Sequence, residues 1–227
     1  MIEQMVLVYE EALEVDNPDP RSRRAKCVDV VMRQAVGRTW RHLAKERLED
    51  TRPTIPLGKK FWPLSPEEKA EIERIFATEE VRRLVTALRF RRDTAPVEVL
   101  DAAYWMKGCS SLGRLRYAVL VRVGKTKGTE EKFCLIDIKE GVAAAAPRAR
   151  GSKVFKDHAA RVVEGAMNLS PFLGERMLPA KLLGRSVVMR ELLPQDLKLE
   201  MESLTVDEAV AAARHLAFVV GRAHARQ

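Results

Sequence analysis

Cysteine, histidine and aromatic residues are scarce here: three cysteines, four histidines and 6% aromatics in 227 residues. Cys27, Cys109 and Cys134 are odd in number and widely spaced. They fit neither a disulfide framework nor a zinc-ligand spacing, so a reducing cytoplasm is the expected location. Uncharged runs such as Gly141–Pro147 are far too short to span a bilayer, and the first residues lack a signal-peptide pattern. Apart from the alanine run 143–146, the chain has no low-complexity segment, and it has no internal repeat.

Charge is plentiful but of both signs. Forty Lys and Arg against 32 Asp and Glu leave a formal charge of +8. That excess would suit a polyanion, yet the cations are spread along the chain and no basic stripe is interleaved with aromatics, so nucleic acid is a disfavoured partner. With 46% hydrophobic and 32% charged residues, the composition is that of a soluble globular chain long enough to bury a core.

The informative stretch runs from Val97 to Glu140. Val97–Met106 reads as a strand, Lys107–Gly113 as a glycine-bracketed turn, Tyr117–Val123 as a second strand, and Lys132–Lys139 as a third. Alternation puts Phe133, Leu135, Asp137 and Lys139 on one face of the third strand and Cys134, Ile136 and Ile138 on the other. A glycine turn followed a strand later by a lysine can cradle phosphate, because glycine lets backbone N–H groups approach and the ammonium adds a point charge. The same pattern also describes a tight hairpin with a lysine ending a strand. Asp137, one repeat before Lys139, is a possible quenching partner for that lysine.

The flanking segments are mostly helical. Helices are expected over 1–15 and from about Ser22 to Leu48, the second with Val28, Val31, Met32, Ala35, Thr39 and His42 near one face. Thr51–Leu64 is Pro-rich and reads as an extended linker or hairpin. Ser65-Pro66-Glu67-Glu68 is a capping box that opens a helix, and Thr78-Glu79-Glu80 opens a shorter one reaching Leu88. Beyond the loop 141–151, Lys156–Leu169 is a helix carrying Ala160, Val163 and Met167 inward. Met177–Leu183 and Ser186–Leu193 form a hairpin around Gly184-Arg185. Thr205-Val206-Asp207-Glu208 is a second capping box, opening a helix striped by Val206, Val210, Ala213, Ala217, Val220 and His224. That helix stops inside its own pattern, as a truncated chain would.

The expected class is α+β. An antiparallel sheet of about five strands with one helix after the third forms a kinase-like small lobe over 96–195. A helical region over 1–95 precedes it, and 196–227 is a linker entering a long helix. In that architecture a strand-three lysine holds nucleotide phosphates and pairs with a helix glutamate.

Gly108-Cys109-Ser110-Ser111-Leu112-Gly113, Leu135–Glu140, Val188–Leu192 and Ala223-His224-Ala225-Arg226 resemble the bacterial domain-of-unknown-function family 2252. That family is grouped with the kinase-like fold, and its members are roughly twice this length. The resemblance implies that Gly108, Ser110, Ser111 and Gly113 form a phosphate loop and that Lys139 is the phosphate lysine. It makes Glu164 the partner of that lysine ahead of Glu175, and places Met189–Pro194, including Glu191, at a hinge that reads a nucleotide base. His224 is the catalytic candidate, and ATP with Mg²⁺ is the implied cofactor. The family's Gly-Asp-x-His and Asp-Phe-Asp-like segments are not in this sequence, so the metal ligands and catalytic carboxylates are missing from it.

Three roles are therefore open: the nucleotide-binding part of a phosphotransferase, a non-catalytic interaction or regulatory module on the same fold, or a truncated product without its own role. An open apolar surface, able to support self-association, is expected in each.

Overall fold

A computed structural model describes residues 1–14, 24–49, 52–86, 94–108, 112–124, 132–147, 150–151, 155–170, 173–197 and 199–225. The chain divides into two compact units. One comprises Trp40–Gly165 and Leu173–Leu193; the other comprises Met1–Thr39, Ala166–Phe172 and Pro194–Gln227.

The first unit is built on an antiparallel sheet of β1 (Phe61–Trp62), β2 (Val97–Trp105), β3 (Arg116–Val123), β4 (Lys132–Glu140), β5 (Met177–Leu182) and β6 (Arg185–Leu192), in the order β1-β2-β3-β4-β6-β5. Five of these strands were legible from apolar and β-branched runs, alternation along β4 and the hairpin signal at Gly184. The sixth, β1, is two residues inside the Pro-rich segment and pairs Phe61 with Trp105 and Trp62 with Tyr104. Two residues are too few for a period to register.

One face of the sheet carries Tyr117, Val119, Val121, Cys134, Ile136, Ile138 and Met189, covered by α4 (Pro66–Phe76) and α5 (Glu79–Thr86) through Ile72, Ile75, Leu84 and Val85. The opposite face carries Trp105, Ala118, Leu120, Leu135 and Leu192, packed under Leu43 and Leu48 of and just after α3 (Trp40–Arg47), and under Ile55. Ala159 and Val163 of α6 (His158–Leu169) close a third cluster on Val188 and Met177. Of the side chains expected inward on α6, Val163 is buried, whereas Met167 is 50% exposed. Between Val99 and Asp101 the β2–β3 register shifts. The freed Asp101 carboxylate accepts the Ile55 N–H at 2.7 Å and the Ala102 N–H at 2.8 Å, which ties the covering segment to the bulge.

The β5–β6 hairpin turns at Leu183-Gly184, one residue earlier than Gly184-Arg185. Both turn residues are left-handed, with φ of 51° and 73°. Two positive φ values suit the twist of a two-residue hairpin.

The second unit holds α1 (Ile2–Glu14), α2 (Lys26–Val36) and α7 (Val206–His224). The single helix expected over 22–48 is interrupted. Gly37 caps α2, Arg38 donates from Nε to the Pro194 carbonyl at 2.5 Å, and Gln195 donates to the Arg38 carbonyl at 3.0 Å. Helical periodicity on both sides hides such a break, because the groups that stabilise it lie over 150 residues away in sequence.

The buried side of α7 also differs from the expected stripe. Ala212, Ala213, Ala217, Phe218, Gly221 and Ala223 are buried, while Val206 is 77% exposed. Small residues set this face because α1 lies close: a Cβ on Gly221 would stand 2.7 Å from Ala12 Cβ and 2.8 Å from the Tyr9 carbonyl. Apolar side chains remain open elsewhere on these helices, among them Ile2, Val6 and Leu7 on α1 and Leu216 on α7. No described helix is long and apolar enough to cross a membrane.

Candidate functional site

Alternation along β4 puts Leu135, Asp137 and Lys139 on the face that α3 and α6 partly cover. At the Asp137–Lys139 end the apolar layer gives way to a cavity of about 380 Å³ between the sheet and α6. Five cations line it: Arg114, Arg116, Lys139, Arg161 and Arg190. Asp137 and Glu140 are its two carboxylates, and Val142, Val162, Met177 and Val188 supply apolar wall.

Both carboxylates are already engaged. Asp137 takes a two-pronged bond from Arg116, with Nε to Oδ1 at 3.0 Å and Nη2 to Oδ2 at 2.6 Å. Arg116 in turn lies over the Trp105 ring, 4.8 Å from its centroid. Glu140 accepts the Leu115 N–H at 2.9 Å and Arg185 Nη1 at 3.1 Å. Asp137 therefore does not quench Lys139. Among the described contacts no carboxylate pairs with the Lys139 ammonium; in the strand register the residue stands between Arg116 on β3 and Val188 on β6. The cavity carries a formal excess of three positive charges, counting its five cations against its two carboxylates.

The helix that closes the cavity is held at its start. Asp157 precedes α6, and its carboxylate accepts the Ala160 N–H at 2.9 Å, the Ser186 hydroxyl at 2.5 Å and Lys181 at 3.2 Å. The hydroxyl bond, then the backbone N–H and the lysine, hold the Asp157 pKa down to about 2. Gly141 makes this approach possible, since a Cβ there would lie 2.8 Å from the Ala159 nitrogen. With Ala159 and Val163 against the sheet, the rotation of α6 presents Arg161 and Val162 to the cavity. Arg161 donates from Nη2 to the Val142 carbonyl at 2.8 Å, and its buried Nε has no hydrogen-bond partner among the described residues.

The residues singled out from sequence are distributed unevenly about this cavity. Lys139 lines it. Glu164 is exposed on α6 outside the lining, and no described ion pair joins it to Lys139. Gly108 and Gly113 both have φ of 69° and bracket the β2–β3 turn; neither lines the cavity, but Arg114, next in chain, does. Ser110 and Ser111 lie outside the described residues, as does Cys109. Glu191 is buried and, by alternation with Arg190, points to the opposite face of the sheet. Glu175 lies in the turn before β5 and is exposed. His224 belongs to the other unit, exposed on α7, where its Nδ1 lies 2.8 Å from the Tyr9 hydroxyl and the two rings meet edge to face.

Sequence reasoning missed Arg161 and gave no cavity role to Arg116 or Arg190. The available signal was parity: Arg190 is two residues from Val188 and Leu192 on one strand face, as Lys139 is from Asp137. Nothing comparable marks Arg161, because only Ala159 and Val163 are buried on α6, too few to define a face by period.

A family model described as an uncharacterized protein conserved in bacteria (DUF2252) matches residues 1–227. The chain belongs to this family. No curated protein and no solved structure matches it. Family membership thus extends over both units, including the helices α1 and α2 that lie outside the quoted motifs.

Proposed function

We propose that this member of the DUF2252 family binds a nucleotide on a kinase-like lobe, with the phosphates of ATP held at Lys139. The observation that carries the reading is the state of that lysine. It lines a concave, net-cationic cavity, and both nearby carboxylates are committed to other donors. An ammonium beside several guanidinium groups, without a carboxylate of its own, gains when an anion shares the space. The order of elements agrees with such a lobe: β2, turn, β3, β4 with Lys139, then α6, β5 and β6. Gly108 and Gly113, both at φ of 69°, bracket the turn that leads into Arg114 on the cavity wall. If Mg²⁺ accompanies the nucleotide, Asp137 and Glu140 are the carboxylates nearest to hand, each of which would have to leave its present partners.

The test is a thermal-shift titration with ATP and Mg²⁺, comparing the unmodified chain with Lys139→Ala and Lys132→Ala. Ligand at a hundredfold its dissociation constant stabilises a fold by about 2.7 kcal/mol. The expected result is a shift abolished by Lys139→Ala and kept by Lys132→Ala. No shift in folded protein overturns the reading.

One feature favours a second reading, a non-catalytic module on the same fold. Glu164 is exposed and outside the cavity, so the lysine–glutamate pair of an active kinase-like lobe is not formed. A stable complex with another chain, without nucleotide affinity, is the outcome that would select it.

A further inference from the structure

We propose that Arg161 is a phosphate ligand of the Lys139 cavity, and that it lets the site hold a di- or triphosphate group without a divalent cation. This deepens the nucleotide reading and names what the site recognises.

Three observations point to it. First, the rotation of α6 is set by contacts that do not involve the ligand: Asp157 at its start, the close approach of Gly141, and Ala159 and Val163 on Val188. The same rotation that turns Glu164 outward brings Arg161 to the cavity wall. A cation therefore stands where a kinase-like lobe needs a carboxylate.

Second, Arg161 is half satisfied. Nη2 bonds the Val142 carbonyl, but the buried Nε–H has no acceptor among the described residues. The guanidinium thus keeps donors unspent, and its fork can give two parallel bonds to one phosphate once the side chain turns to present them.

Third, the charge balance needs no metal. Lys139, Arg161 and Arg190 line the cavity with no carboxylate partner among the described ion pairs, while Asp137 and Glu140 face Arg116 and Arg185. Three cations can neutralise a diphosphate, a task that elsewhere falls to Mg²⁺ and one lysine.

Isothermal titration of the full chain with ADP, and separately with inorganic tripolyphosphate, in EDTA and in excess Mg²⁺, tests this. Binding of both ligands in EDTA, at affinity equal to or better than in Mg²⁺, is expected. Arg161→Ala should weaken both at least tenfold, with partial recovery in Arg161→Lys. Arg161→Gln removes the charge while keeping a polar side chain, and an unchanged melting temperature of that variant shows that its loss of binding is not a loss of fold. Binding that appears only with Mg²⁺, or Arg161→Gln that binds as the unmodified chain does, overturns the inference and leaves the nucleotide reading standing. Arg161-dependent binding of tripolyphosphate without ADP binding retains Arg161 as a phosphate ligand and overturns the nucleotide. No binding of either overturns both.

Discussion

Arg116 and Asp137 join diagonally across β3 and β4, each side chain only 9% exposed, through two hydrogen bonds of 3.0 and 2.6 Å. In the strand register Arg116 faces Lys139, and Asp137 faces Ala118. The carboxylate is taken by a guanidinium whose planar fork matches it, not by the lysine two residues on along its own strand. That lysine, Lys139, has no carboxylate partner among the described ion pairs.

Removing one member of this pair should be costly. Asp137→Ala leaves the Arg116 guanidinium buried and uncompensated, with an expected loss of about 3–5 kcal/mol. Replacing both by apolar residues, Arg116→Met with Asp137→Leu, should recover most of that loss. Urea denaturation midpoints of the two variants provide the comparison; equal midpoints would mean the charges contribute little.

Tyr117 ties the sheet to α4. Its buried hydroxyl donates to Glu68 Oε1 at 2.7 Å, while Oε2 of the same carboxylate accepts the Ser65 N–H at 2.8 Å in the capping box. Burial first, and the Glu68 carboxylate second, raise the phenol pKa above its ordinary 10.0. The contribution of this phenol is complete below pH 10 and falls away as pH rises through the raised value. Tyr117→Phe should cost about 1.5–3 kcal/mol, the range for a bond to a charged acceptor. Phenolate absorbance during an alkaline titration should show one tyrosine ionising late, and that late step should vanish in the variant.

Acid should loosen the start of α6. Asp157 has a pKa of about 2 in the fold against 3.8 as the reference value. Its stabilising effect is therefore present above pH 4 and is lost progressively as pH falls toward 2. Asp157→Asn should flatten that part of the stability curve and cost about 1 kcal/mol at neutral pH, as a weakened helix cap does. Denaturant midpoints at stepped pH values measure both effects.

The α1–α7 contact admits no larger side chain at Gly221. Gly221→Val should lower stability by about 1–3 kcal/mol through overpacking on Ala12 and the Tyr9 backbone. Ala12→Gly in the same chain should restore only part, because the Tyr9 carbonyl stays 2.8 Å from the new Cβ position. Thermal melts of the single and double variants decide whether the backbone or the Ala12 methyl dominates.

Much of this was legible locally. Ser65 with Glu68 and Thr205 with Glu208 form the two capping boxes the spacing announced, with both reciprocal bonds in each. The division of β4 into a Leu135–Asp137–Lys139 face and a Cys134–Ile136–Ile138 face follows from alternation alone. Such features involve residues within four positions of one another, so the chain's own geometry determines them.

Tertiary structure decided what depends on distant partners. Asp137 sits two residues from Lys139 but bonds Arg116, 21 positions away, because the neighbouring strand presents the better donor. The helix expected to run on to Leu48 breaks where Pro194 and Gln195 bond Arg38. Arg161 rather than Glu164 reaches the cavity because Asp157, Gly141 and Val188 set the rotation of α6. By itself the sequence determined the element types, the helix starts and the strand faces, all products of short-range sterics and hydrogen bonding. Which charges meet, and which one is left to face the cavity, depended on packing between segments that only the folded chain brings together.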